Sequence, residues 1–151
     1  MNLLKMNNPY FFEDLEQGVT FEFPQVCITQ NMRDKHIVLY GEDWSKGNLD
    51  YILKEGIVPS HLIISLIAGQ GGASEWMKVI LAKSYRCSFF EPIRVGDIIR
   101  TLSRIVEKRI HGDLSKNYGY VSVEQNILNQ NDNIVYRRDI EYLVERRKIK
   151  E

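Results

Sequence analysis

Gly56-Ile57-Val58-Pro59-Ser60-His61-Leu62-Ile63-Ile64-Ser65-Leu66-Ile67-Ala68-Gly69 is the stretch on which the fold of this chain turns. From Leu62 to Ala68 only Ser65 is polar. A run this apolar on all sides predicts a helix buried all round, with Leu66 fully enclosed. It is far too short to cross a bilayer, which takes about 20 apolar residues. Pro59 and Ser60 mark its start, with Ser60 as the expected N-cap. The helix is expected over residues 60–77, through Gly69, Gly71 and Gly72. Each of those glycines costs ~1 kcal/mol against alanine, tolerable where neighbouring backbone grips the helix. The first amides of such a helix lack partners and sit at the positive end of its dipole. An accessible start therefore suits an oxyanion, which points toward acyl-thioester chemistry.

The flanking sequence supplies what would surround this helix. Residues 19–23 alternate apolar and polar, as a strand does, and strand character resumes over 26–28. Thr29 or Asn31 is expected to cap a short helix over 32–40, with Ile37, Tyr40 and Trp44 on one face. Residues 41–54 read as polar and irregular. Four strand-like segments follow the apolar run, at 79–90, 97–108, 118–128 and 134–144. A turn-rich link over 91–96 joins the first two, and Asn129-Gln130-Asn131-Asp132-Asn133 reads as a hairpin turn between the last two. Consecutive strands with short links make an antiparallel sheet. Its apolar face has one large partner, the helix. The expected class is α+β, a curved antiparallel sheet wrapped around one long central helix.

Bulk properties narrow the function. The 151 residues fit a single domain spanning 1–151. Lys plus Arg equals Asp plus Glu at 20 each, so the basic excess of a nucleic-acid protein is missing. The basic end Arg146-Arg147-Lys148-Ile149-Lys150 reads as a solvated tail. No signal peptide or membrane span is visible, and neither Cys27 nor Cys87 lies in a Cys-x-x-Cys pair. The expectation is a cytoplasmic protein with reduced thiols, no metal and no membrane contact. His36 and His111 read as ordinary surface residues.

Several motifs occur in one order: Tyr10-Phe11-Phe12-Glu13-Asp14-Leu15-Glu16-Gln17-Gly18, then Gly41-Glu42-Asp43, the apolar helix, and Phe89-Phe90-Glu91-Pro92-Ile93-Arg94-Val95-Gly96-Asp97. Gly119-Tyr120-Val121 and Asn129-Gln130 follow. Together they resemble the hotdog fold, in particular the MaoC-like (R)-specific enoyl-thioester hydratases and dehydratases, over about residues 10–145. The resemblance implies an acyl-thioester substrate on coenzyme A or a phosphopantetheine arm, no further cofactor, and a homodimer or a hetero-hotdog dimer. It implies that Asp43 matches that family's catalytic Asp. Five residues on, where the family has His, stands Asn48, which cannot act as a general acid or base. The family's His-Gly at the helix opening is Pro59-Ser60 here, and the Ser60 amide can still donate to an oxyanion. His61, in the first turn, is the candidate replacement imidazole, its proton affinity lowered by the dipole.

Lys83, Arg86 and Arg94 are candidate partners for the phosphates of the carrier, although each singly also reads as solvated charge. The expected activity is hydration of an enoyl thioester or its reverse, weakened or altered by Asn48. Two alternatives stand beside it: a non-catalytic acyl-thioester-binding or partner subunit of a hotdog dimer, and a hotdog thioesterase using Asp43 and water.

Overall fold

A computed structural model of the chain describes residues 9–40, 53–70 and 76–148. Asp43, Trp44 and Asn48 lie outside the described residues, as do Gly71 and Gly72. A short 3-10 turn, Phe12–Asp14, leads into strands β1 (Thr20–Glu22) and β2 (Val26–Cys27). Helix α1 (Gln30–Tyr40) follows, capped by Thr29, whose Oγ1 accepts the Met32 amide at 3.2 Å. Helix α2 covers Ser60–Gln70, and four long strands complete the chain: β3 (Val79–Phe89), β4 (Ile98–Ile110), β5 (Tyr118–Leu128) and β6 (Ile134–Glu145).

All pairings are antiparallel, in the order β1-β4-β5-β6-β3, with β2 also on β4. The link from β3 to β4 thus carries the chain from one edge of the sheet to the other. At the β5–β6 turn Asn129 Oδ1 accepts the amides of Asn131 (2.9 Å) and Asn133 (3.1 Å), and Asp132 takes φ +61°. That is the hairpin its composition predicts.

One expectation for α2 needs correction. The helix is not enclosed on every side: Ile63 and Ile67 are buried, Leu62, Ile64 and Leu66 are half-buried, and His61, Ser65 and Ala68 are exposed. A straight helix meets a single sheet face along one stripe, which residues four apart select. The others are apolar without being covered in one protomer. The described part of this helix runs from Ser60 to Gln70, Trp76 is again helical, and Met77 pairs with Tyr10 in a bridge. Ser60 is the first helical residue, with Pro59 before it accepting the Leu62 amide at 3.0 Å.

The inner face of the sheet is built in transverse rows set by the register. Thr101, Ile127, Tyr136 and Phe89 form one row, and Ile105, Val123, Ile140 and Tyr85 another. Between them runs Ser103, Gln125, Arg138 and Cys87. The first row packs with Ile63, Ile67, Ile28 and Ile93 into one apolar cluster. The other packs with Phe12, Leu15, Trp76 and Met77 into a second. The polar row separates them. Phe12 lies so close over Gly119 that a Cβ there would sit 2.4 Å from its ring, which explains a glycine as the second residue of β5.

Candidate active site

The start of α2 is held by the β3–β4 link. The Val58 amide donates to Ile93 O and the Val95 amide to Gly56 O, both at 2.8 Å. The link is itself locked by the Gly96-Asp97 pair. Gly96 takes φ +95°, a conformation glycine adopts without steric cost. Asp97 accepts the Arg94 amide at 2.8 Å through Oδ2 and the Gln130 Nε2 at 3.0 Å through Oδ1. Gln130 Oε1 in turn accepts the Ile98 amide at 3.1 Å. The Pro-x-x-x-Gly-Asp and Asn-Gln motifs are thus two halves of one clamp.

A pocket of about 320 Å³ opens at this point. Its walls are apolar, from Ile57, Val58, Ile63, Phe89, Phe90 and Ile93, with Ser60 and Glu91 as the polar members. The Phe89 ring stacks on Tyr136 with centroids 4.3 Å apart and planes 7° apart. Among the described residues no acceptor takes the amides of Ser60 or His61. The pocket therefore combines an apolar wall with the Ser60 end of α2, where the helix dipole is positive.

Of the residues singled out from sequence, Ser60 lines this pocket and His61 is exposed in the same turn. His36, expected at the surface, is instead buried on α1. It lies near enough to His61 for the two charges to interact, and its pKa is lowered, first by burial and then by the charge of His61. Lys83, Arg86 and Arg94 do not converge. Lys83 bonds Glu141 at 3.1 Å and sits 4.9 Å from the Tyr120 ring, on the side of the sheet away from α2. The register places Arg86 opposite Asp139 on that same side. Arg94 is beside the lead-in to α2, donating from Nη1 to Glu55 O at 2.5 Å.

The polar row of the inner face was not foreseen. Arg138 is 1% exposed and Gln125 and Ser103 are 0% exposed. Gln125 Oε1 accepts from Arg138 Nε at 2.8 Å and also from Nη2, while Gln125 Nε2 donates to Ser103 Oγ at 2.7 Å. The signal was present in the alternation: these three stand at inward positions of strands whose other inward residues are mostly apolar.

No family model matches the sequence, and no curated protein matches it. Solved structures do match. A monoamine oxidase regulatory protein from Archaeoglobus fulgidus superposes with a TM-score of 0.79 at 19% identity, over 96% of this chain and 100% of the other. A MaoC-domain protein from Chloroflexus aurantiacus gives 0.81 at 22% identity, over 96% of this chain but 43% of that longer one. A Mycobacterium tuberculosis protein with a double hotdog fold gives 0.80 at 18% identity, over 95% of this chain and 46% of the other. Identities this low carry the architecture and not the chemistry. The chain has the hotdog fold, an α+β architecture in which an antiparallel sheet curves around a helix.

Proposed function

We propose that this chain acts on acyl thioesters as a MaoC-like hydro-lyase, adding water to an enoyl thioester or removing it from a 3-hydroxyacyl one. The observation that carries the reading is the apolar pocket lined by Ser60 at the start of α2, whose amide no described acceptor takes. The pocket accepts an acyl chain. The Ser60 and His61 amides donate to the thioester carbonyl oxygen, which gains negative charge as water oxygen bonds to the β-carbon. Asp43 positions and activates that water, Asn48 orients it, and His61 supplies the imidazole that position 48 lacks. Arg94 meets phosphates of coenzyme A or a phosphopantetheine arm in this reading. Supporting this reading, structural neighbours include a MaoC-like dehydratase from Rhodospirillum rubrum and an R-hydratase from Pseudomonas aeruginosa.

A pair of copies along β3 is part of the same reading. That strand bonds β6 on one side and no described strand on the other. It exposes Ile80, Leu81 and Tyr85, with Phe90 just beyond its end. A long, apolar, unpaired edge is a template for a second strand. A neighbour of this fold from Mycobacterium tuberculosis is itself a complex of 3R-hydroxyacyl carrier-protein dehydratase chains.

The test is hydration of crotonyl-CoA by the full chain. The unmodified chain is expected to turn over, because His61 supplies the imidazole, and losing that imidazole should lower the rate by the ~10²–10⁴ that general acid–base help supplies. Asn48→His should raise it, while His61→Ala and Asp43→Asn should each silence it. Absence of both turnover and thioester binding would sink the proposal. Binding without turnover, unchanged by Asn48→His, would leave the binding-subunit reading instead.

A further inference from the structure

Among the described residues Arg138 has no counterion. It is 1% exposed, and no described carboxylate lies within ion-pair distance of it. Its described hydrogen-bond partner is the neutral Gln125. A guanidinium has five N–H donors and keeps its charge at every ordinary pH. Burying it between two apolar clusters is costly without an anion.

The surroundings are arranged to receive one. Gln125 is fixed by Ser103 so that its oxygen faces the arginine, which orients the guanidinium fork. The Tyr85 ring lies 5.8 Å from Cζ of Arg138. The charge of Arg138 also reaches the hydroxyls of Tyr136 and Tyr142. Burial keeps both phenols protonated, with Tyr136 donating to Cys87 Sγ at 3.2 Å and Tyr142 pushed up to about 12. The row leads outward: Cys87, opposite Arg138 on β3, is exposed, and Tyr85 is 55% exposed. Arg138 thus lies one strand inside the β3 edge, beside the Tyr85 ring.

Its position relative to the pocket sets the ligand. Phe89 in the pocket wall stacks on Tyr136, and Arg138 is two residues further along β6 on the same face, about 7 Å away. That is the reach of a short acyl chain lying along the inner face. Resting on the thioester reading above, we infer that Arg138 is a specificity-determining residue that binds a carboxylate carried at the far end of the acyl group. A planar two-oxygen anion matches the guanidinium fork.

The experiment compares saturated CoA thioesters, whose binding needs no turnover: butyryl, succinyl, and succinamoyl, the neutral amide of the same shape. Isothermal titration of the unmodified protein should show succinyl-CoA bound about 10–100-fold tighter than the other two, the worth of one charged hydrogen-bonded pair. Arg138→Met should erase that preference and leave butyryl-CoA within about threefold. Equal binding of succinyl-CoA and succinamoyl-CoA by the unmodified protein overturns the inference whether or not the variant folds. So does a preference that survives Arg138→Met. Binding of none of the three overturns the thioester reading itself, and this inference with it.

Discussion

At the scale of single residues, burial separates side chains that look alike in the sequence. Ile63 is 1% exposed and packs on the sheet, whereas Leu66, three residues on, is half-buried. Ile63→Ala is expected to cost ~2–5 kcal/mol in a denaturant titration. Leu66→Ala is expected to cost about 1–2 kcal/mol, in proportion to the area it hides. Equal losses would mean that the exposed stripe is covered. His36 carries a second expectation. Its pKa lies below the ordinary 6.5, because burial disfavours the imidazolium and the charge of His61 adds to that. The unfolded chain therefore takes up this proton at a higher pH than the folded one. The associated stability is complete above pH 6.5 and falls as pH drops through the folded value. The unfolding midpoint should decrease from about pH 7 to about pH 5, and His36→Gln should flatten that decrease. A variant with the same slope would show that another group titrates.

At the scale of elements, the clamp at the start of α2 is the unit that matters. Asp97 and Gln130 come from segments 33 residues apart, yet share a hydrogen bond and together fix the turn, the hairpin and the first residue of β4. Asp97→Ala and Gln130→Ala should each destabilise the protein, and the double variant should lose less than their sum by about 0.5–1.5 kcal/mol. Strict additivity would mean that the two act independently. This is also where sequence and structure can be compared most closely. The four long strands, both turns and the capped α1 were legible because period-two alternation and Asn/Gly/Pro chemistry are local signals. The exposed stripe of α2 was not. An apolar run reports what a helix could bury, and the sheet decides what it does bury. His36 was missed for the same reason: a lone histidine on a weakly amphipathic helix gives no local sign of burial. Of the site, Ser60 and His61 were legible from the helix start. Arg138 was a departure from alternation that carried no motif.

At the scale of the whole molecule, the open β3 edge leads to a test of assembly. If two copies pair there, Leu81→Lys should convert a dimer to a monomer in analytical ultracentrifugation, because a charge on an apolar edge blocks strand addition. A monomeric unmodified protein at micromolar concentration would count against the pairing.

The polar row has a bearing on motion as well. It cuts the interior into two apolar bodies joined by little more than the strands that cross them. Such a division lets one half loosen while the other stays folded. In native-state hydrogen exchange, the amides of α2 and those of strand segments beside Phe12 and Trp76 should therefore open with different free energies. Replacing the row with a continuous apolar band, through Ser103→Val, Gln125→Leu and Arg138→Met together, should merge the two classes into a single global opening. The buried arginine would then be what allows the α2 end of this protein to breathe without unravelling the rest.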